Sequence, residues 1–115
     1  AESVRAENDT LLVVLIDSNV YSAGESFVGI LRQLDNVAFV GTNTYGATLA
    51  GNVGVCLLPN SRLELSCGSL ISLGEDLCNY DGRGYTPDFW VRPDEALERA
   101  IEYIQTAPAD GRGRW

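Results

Sequence analysis

The chain has 115 residues, of which 45% are hydrophobic and 21% are charged, the composition of one small globular domain. Sixteen acidic residues against eight basic ones give a net charge of -8, which repels phosphate backbones and argues against nucleic acid as a partner. No apolar run approaches the roughly 20 residues that a membrane-spanning helix needs, so no membrane span is expected.

A buried strand followed by an amphipathic helix begins the predicted fold. Residues 11–16 (LLVVLI) form a continuous apolar run, typical of a parallel strand that is covered on both faces. From Ser22 to Leu34 the apolar residues fall at helical spacing. Ser22 and Glu25 have the S-x-x-E spacing of a capping box, which indicates a helix start. Residues 37–40 (VAFV) predict a second short strand.

Glycine-rich loops and a hairpin are predicted for the middle of the chain. Residues 41–54 carry four glycines among small polar residues and predict a loop. Residues 55–58 and 63–65 are strand-like, and the P-N-S-R sequence between them predicts a turn and therefore a hairpin. Residues 70–73 are expected to extend that sheet. A second glycine-rich loop is predicted over residues 79–87.

The C-terminal part predicts an aromatic anchor and a second helix. Phe89 and Trp90 are large aromatic residues, which we expect to pack on the core. Pro93 suits the first position of a helix, and the two acidic residues that follow it complement the positive helix end. From Ala96 to Ile104 the apolar residues form a helical stripe.

The sequence offers little metal or thiol chemistry. It has no histidine, so it holds no complete Ser–His or Cys–His pair and lacks the commonest metal ligand. Cys56, Cys67 and Cys78 form no C-x-x-C motif, so we expect neither zinc nor another cofactor. Cys56 and Cys67 either face each other across the predicted hairpin or, in the favoured interpretation, are buried free thiols.

Ser22 stands at a predicted strand-to-helix turn, where two interpretations remain open. Backbone N–H groups converge at a helix start and the helix dipole is positive there. Both features stabilise negative charge on a bound oxyanion and on the serine oxygen, which favours a nucleophile. Serine is also an ordinary N-cap residue, which is the commoner role of this pattern.

Five short motifs occur in a fixed order along the chain. They are the strand at 11–16, S-A-G-E-S-F at 22–27, V-G at 40–41, T-Y-G at 44–46 and G-Y-T-P-D at 84–88.

This series resembles the S41 serine peptidases, the C-terminal processing or tail-specific peptidases, and the A-L-E-R-A-I helix at 96–101 fits too. The resemblance implies a crotonase-like α/β fold, with a mixed sheet and flanking helices. It also implies that residues 1–115 are the C-terminal half of a peptidase catalytic domain, a partial domain in which residues 1–10 and 107–115 are frayed ends.

The resemblance assigns roles to four residues. Ser22 matches the nucleophile, the backbone N–H of Ala23 matches an oxyanion donor, and Glu25 matches a supporting glutamate. The serine–lysine branch of the family has a lysine general base directly after T-Y-G, where this chain has Ala47. Asp81 matches an acidic residue of a serine–histidine branch similar to the tricorn core protease. An ordinary turn aspartate is an equally supported interpretation of Asp81.

The resemblance implies a serine endopeptidase core fragment, which hydrolyses peptide bonds only when an upstream segment of the parent protein supplies a base. A hydroxyl without a base is a poor nucleophile, so the chain alone is expected to be inactive. Two alternatives stay open: a non-catalytic peptide-binding member of the family, and a crotonase-like relative that binds an acyl thioester.

The expected partners are a peptide or protein substrate, the upstream half of the same domain, and a second copy of the chain at an uncovered apolar sheet face. The resemblance favours an extracytoplasmic or membrane-associated parent protein.

Overall fold

The structure, a computed structural model, describes residues 10–74 and 76–106, which form seven elements of an α/β fold. Frayed ends were predicted at residues 1–10 and 107–115, and of these all but Thr10 lie outside the described residues. The elements in chain order are β1 (Leu12–Ile16), α1 (Ala23–Leu31), β2 (Val37–Gly41), β3 (Ala50–Leu57), β4 (Glu64–Ile71), β5 (Phe89–Trp90) and α2 (Ala96–Thr106).

A three-stranded parallel sheet is the centre of the fold. β1 and β2 pair in parallel, from Leu12 opposite Val37 to Ile16 opposite Gly41, and β2 also pairs in parallel with the short β5. Parallel neighbours need a crossover connection, and α1 provides it between β1 and β2. The carboxyl ends of β1 and β2 therefore lie at the same edge of the sheet, where the chain turns into α1.

The core lies between this sheet and α1. The helix turns Val28 and Leu31 inward, while Phe27 and Ile30 on its other side are exposed. α2 packs on β1 and β2 with its two buried alanines. The buried cluster consists of Ile16, Val28, Leu31, Phe39 and Tyr85.

The G-Y-T-P-D segment ties the end of the described chain back to the centre of the sheet. Asp88 accepts a hydrogen bond at Oδ2 from the Phe39 N–H at 2.8 Å, and the Asp88 N–H donates to the Phe39 carbonyl at 2.8 Å. The guanidinium of Arg32 donates to the Thr86 carbonyl at 2.9 Å and lies over the rings of Phe39 and Tyr85. These bonds hold β5 beside β2 and bring Tyr85 against α1.

The boundaries of both helices differ from the predictions. α1 ends at Leu31 rather than Leu34, and the Leu34 N–H instead donates to the Leu31 carbonyl in a tighter final turn. α2 begins at Ala96, and Pro93 lies in the turn before it rather than at its first position. Short-range bonds at helix ends account for both shifts, because periodicity does not report them.

The predicted hairpin is confirmed and is longer than expected. β3 and β4 pair in antiparallel fashion from Ala50 opposite Ile71 to Leu57 opposite Glu64, in a sheet separate from the parallel one. The prediction of a loop is therefore wrong for residues 50–54. Glycine lowers intrinsic strand propensity, but the cross-strand partners of these residues supply the ladder, and pairing outweighs propensity.

Several apolar residues are more exposed than predicted. β1 is the edge strand of its sheet, so Leu12 and Leu15 are 43% and 40% exposed and the prediction of a strand covered on both faces is wrong. Trp90 is 65% exposed and is not a core anchor, whereas Phe89 is half-buried. No described helix or strand lies beyond β1, which explains its exposure. On α2 the exposed members of the stripe are Leu97, Ile101 and Ile104.

All three cysteines are exposed free thiols, so the prediction of buried thiols is wrong. The hairpin register places Cys56 opposite Leu65 and Cys67 opposite Gly54, so the two cysteines are staggered across the strands and do not face each other. Diagonal neighbours in an antiparallel pair lie about 7–8 Å apart, which is too far for a disulfide. Cys67 is exposed because the residues of β4 are open to solvent on both of its faces, and most residues of β3, Cys56 among them, are exposed as well.

Candidate active site

Ser22 lies directly before α1 in a backbone conformation that is rare for any residue other than glycine. Its φ and ψ are 51° and -116°, and the residue is exposed. An ordinary N-cap residue has dihedrals in the β region, so the geometry departs from the simple N-cap interpretation. Strained conformations of this kind persist only where the surroundings hold them, and they concentrate at functional sites.

The side chain of Glu25 holds this serine turn in place. Glu25 is fully buried, and its Oε2 accepts a hydrogen bond from the Ser22 N–H at 3.2 Å, as the capping-box pattern predicted. The same carboxylate accepts bonds from the Thr44 hydroxyl at 2.6 Å, the Gly46 N–H at 2.7 Å and the Ala47 N–H at 2.8 Å. A buried carboxylate needs such donors, because burying it without them is costly. Glu25 thus fastens the serine turn to the T-Y-G-A segment.

The T-Y-G motif forms hydrogen bonds to the G-Y-T-P-D motif and to the segment just before Ser22. The Tyr85 N–H donates to Thr44 Oγ1 at 2.7 Å, and the Thr44 N–H donates to the Tyr85 carbonyl at 3.0 Å. The Tyr45 N–H donates to the carbonyl of Val20, two residues before Ser22, at 2.9 Å. Three segments that are distant in sequence therefore converge around the Glu25 carboxylate.

The backbone N–H of Ala23 is the amide that directly follows the serine. The Gly24 N–H donates to the Tyr21 carbonyl and the Ser26 N–H donates to the Ser22 carbonyl. The Ala23 N–H, by contrast, makes no hydrogen bond to any group in residues 10–74 and 76–106. An unbonded N–H in the first turn lies at the positive end of the helix dipole, which suits an oxyanion.

Ala47 lies in the loop that bonds to Glu25, and Asp81 lies in a neighbouring loop that bonds to the residues after Ala47. Asp81 Oδ1 accepts hydrogen bonds from the Thr48 and Leu49 N–H groups, both at 3.2 Å. These bonds span 33 and 32 positions of sequence, unlike the local bonds of a turn aspartate, and they fix the backbone that follows Ala47. The Ala47 N–H bond to Glu25 brings position 47 close to the serine turn, and an alanine there offers no proton acceptor.

Tyr80 stacks on Tyr85 and so supports the residue that bonds to Thr44. The ring centroids are 4.2 Å apart, and the Tyr80 hydroxyl donates to Asp76 Oδ2 at 2.5 Å. That bond raises the pKa of Tyr80 to about 12 and lowers the pKa of Asp76. The phenol therefore stays protonated and bonded throughout the neutral pH range.

Sequence reasoning missed the parts that Thr44 and Tyr85 play in this arrangement. Both were noted only as letters of the T-Y-G and G-Y-T-P-D motifs. The available signal was the recurrence of glycine beside them. Gly84 has a φ of 71°, and a Cβ there would lie 2.1 Å from the Thr44 carbonyl oxygen. The backbones of the two motifs therefore lie too close together to admit a side chain at position 84.

We expect Gly84→Ala to destabilise the protein much more than Gly82→Ala. Both glycines have positive φ, 71° and 74°, so alanine at either position costs about 1–2 kcal/mol of conformational energy. A Cβ at position 82 meets nothing within 4 Å, whereas one at position 84 collides with Thr44. We therefore expect a loss of about 3 kcal/mol or more in the free energy of unfolding for Gly84→Ala. Urea denaturation of both variants measures the difference, and equal midpoints would contradict it.

Two further observations concern the described residues only. No group of three or more acidic, cysteine or histidine side chains in them is arranged to hold a metal ion. Neither described helix has the length and apolar character needed to cross a membrane.

Comparison with known proteins identifies the family. The sequence model of peptidase family S41 matches residues 2–90, which is most of the chain. No match was found among curated proteins.

Three solved structures share the fold. A candidate peptidase from Parabacteroides merdae has a TM-score of 0.69 at 24% identity, over 90% of this chain and 34% of that protein. The photosystem II D1 C-terminal processing protease has a TM-score of 0.63 at 22% identity, over 89% of this chain and 26% of that protein. A candidate S41 protease from Bacteroides fragilis has a TM-score of 0.59 at 18% identity, over 81% of this chain and 27% of that protein.

The chain thus covers about a third or less of the length of these proteins. The likeness confirms the predicted α/β fold, as a partial peptidase domain with strands and two helices. The family match confirms the resemblance that the five motifs indicated. The chain belongs to peptidase family S41.

Proposed function

We propose that this chain carries the nucleophile and one oxyanion donor of a serine endopeptidase. The observation that supports this most is the exposed Ser22 in its strained turn, with the Ala23 N–H beside it, which bonds to no group among the described residues. Glu25 fixes both to the T-Y-G-A segment through four hydrogen bonds. A nucleophile and an oxyanion donor held rigidly side by side are the arrangement that acyl transfer needs.

In this proposal Ser22 Oγ attacks a peptide carbonyl carbon, and a base takes the hydroxyl proton. The oxyanion that forms accepts a hydrogen bond from the Ala23 N–H. The proton then passes to the leaving amine, the peptide bond breaks, and an acyl ester remains on Ser22. Water hydrolyses that ester with the help of the same base and releases Ser22.

The base comes from a part of the protein other than these residues. The sequence has no histidine, and the residue after T-Y-G is Ala47 rather than lysine. Glu25 is not a candidate, because its buried carboxylate is fully engaged in positioning the serine turn. We propose that the base is supplied by the upstream half of the catalytic domain and that Asp81 orients it, since Asp81 is exposed and anchored beside position 47.

A second candidate function is peptide binding without cleavage. Ala47 favours it, because the position that lies against the serine turn carries no group able to accept a proton. The two functions differ in one respect that is open to measurement. A peptidase activates the Ser22 hydroxyl, whereas a binding protein has no need to do so.

Labelling of the intact protein with a fluorophosphonate distinguishes the two candidates. We expect a single phosphonylated site, which mass spectrometry of proteolytic fragments assigns to Ser22. The other exposed serines, such as Ser61 and Ser66, are internal controls and should remain unmodified. Absence of an adduct at Ser22 in the folded intact protein would contradict the endopeptidase proposal and support the binding protein.

A further inference from the structure

A cavity of about 110 Å³ lies between α2 and the parallel sheet. Val13 and Val40 line it from β1 and β2. The neighbouring residues Val14 and Phe39 pack instead with the core cluster on the α1 side. Because successive side chains of a strand point to opposite faces of its sheet, the cavity lies on the other face of the sheet from α1, the helix that Ser22 precedes.

The cavity exists because α2 packs on the sheet through small side chains. Ala96 and Ala100 are the buried residues of this helix, and an alanine fills little of the space above the valines of the sheet. Phe89, in β5, and Val91, directly after it, line the same space. The fold therefore leaves room here for an apolar group that comes from outside.

The lining is apolar, and the cavity is reached from solvent at the side of α2. Apart from Arg99 and Tyr103, the lining side chains consist of carbon alone. Arg99 is exposed, and it lines both this cavity and a shallow cleft along α2. A dry apolar cavity of about 150 Å³ holds benzene, so one of about 110 Å³ accommodates the branched end of a leucine or valine side chain.

The surface beside this entrance is acidic. Residues 92–106 carry two arginines against four carboxylates, a net charge of -2. Each arginine is already held by a carboxylate of the same segment, Arg92 by Glu95 and Arg99 by Glu102. The whole chain has a net charge of -8, so a cationic partner is attracted, whereas a second copy of the chain and an anionic lipid surface are repelled.

We propose that this cavity docks a basic peptide segment of another protein, which inserts one leucine or valine side chain and lays lysine or arginine residues over the acidic surface of α2. Burial of the aliphatic side chain supplies the affinity, and the charges set the orientation. A charged side chain cannot take the place of the aliphatic one, because it would lose its hydration in an apolar cavity. The docking site does not depend on the proposed function, so Ser22→Ala should bind such a peptide as tightly as the parent protein.

Fluorescein-labelled peptides test this on the intact protein carrying Ser22→Ala, which removes cleavage of the probe. The reference peptide is Gly-Lys-Leu-Lys-Gly, and its dissociation constant is measured by anisotropy at low salt. Replacing the leucine by alanine should weaken binding at least about 10-fold. Replacing both lysines by glutamate should weaken it at least about 5-fold, since two attractions become repulsions. Equal affinities within either pair of peptides, or no saturable binding, would overturn the proposal.

Val91→Phe assigns the binding to the cavity. The larger ring occupies the space from its edge, so the affinity for the leucine peptide should fall at least about 10-fold, towards that of the alanine peptide. Val55→Phe makes the same chemical change on exposed β3 and should leave the affinity unchanged. Undiminished binding of the leucine peptide by a folded Val91→Phe protein would contradict the docking site.

A peptide with photo-leucine at the anchor position locates the site without any substitution in the cavity. We expect its crosslinks in β5 and α2, and crosslinks confined to other parts of the protein would exclude the cavity. Sedimentation of the protein alone examines the other occupant. A dimer that Val91→Phe abolishes would assign the cavity to a second copy of the chain and so overturn the proposal as well.

Discussion

Ser22→Ala is expected to lower the kcat/KM of the intact protein for a fluorogenic peptide by at least about 10⁴-fold. In the proposed mechanism no acyl ester forms without the hydroxyl, and only the stabilisation that the Ala23 N–H gives to the oxyanion formed by direct attack of water remains. The affinity for the peptide should change little, because the hydroxyl is small, exposed and acts on the transition state. Steady-state kinetics and peptide binding measured on the same preparation separate the two effects.

Ser66→Ala is the matched control for this experiment. Ser66 is also exposed, but it lies on β4, and the same change there should leave kcat/KM within about two-fold of the parent. A Ser22→Ala protein that keeps more than a tenth of its activity would rule out the serine as nucleophile. A crotonase-like relative that binds an acyl thioester needs no nucleophile at this position, so in that case neither the parent protein nor Ser22→Ala would cleave the peptide.

Glu25→Gln is expected to lower the free energy of unfolding by about 3–5 kcal/mol. The wild-type carboxylate accepts bonds from three backbone N–H groups and the Thr44 hydroxyl. An amide presents two N–H donors on one side, so at least one of those backbone donors is left buried, unbonded and facing another donor. Urea denaturation measures the loss. The rate of fluorophosphonate labelling should fall as well, even in buffer without urea, because the serine turn loses its anchor.

The matched control is Glu98→Gln on the exposed side of α2. Glu98→Gln makes the same chemical change at a solvent-exposed position, where substitutions alter the free energy of unfolding by less than about 0.5 kcal/mol. A Glu25→Gln protein with the same midpoint as Glu98→Gln would show that the carboxylate does not hold the site together. Wild-type labelling of a destabilised Glu25→Gln protein would show that the anchor matters for stability alone.

The parts of the site that local pattern controls were predictable. The S-x-x-E spacing predicted both the start of α1 and the bond between Ser22 and Glu25, because these residues are one helical turn apart. The apolar runs at 11–16 and 37–40 predicted β1 and β2 to within one residue, since short buried strands need such runs.

The rest of the site depends on residues that meet only in the folded chain. Glu25 reaches Thr44, 19 positions away, and Thr44 reaches Tyr85, 41 positions away, and no periodicity reports either contact. The positive φ of Ser22 was equally hidden, because that conformation is imposed by the bonds around the turn and serine has no preference for it.

The predictions of which residues are buried were wrong for a related physical reason. An apolar run indicates that a strand is compatible with burial. Whether another element covers its faces and edges depends on the assembled protein. Among the described strands β1 has a neighbour on one side only, so Leu12 and Leu15 are exposed although their sequence is that of an interior strand. The same holds for Cys56 and Cys67, whose strands pair with each other and with no other described strand.

The bonds from Asp88 to Phe39 have a consequence for the order of folding. They join residues 49 positions apart, and the bond from Tyr85 to Thr44 spans nearly as much chain. Closing such long loops is entropically costly, and contacts of high sequence separation slow folding. We therefore expect the local β1–α1–β2 unit to form early. The serine turn reaches its final conformation only when the G-Y-T-P-D segment has been synthesised and has bonded to β2 and to Thr44.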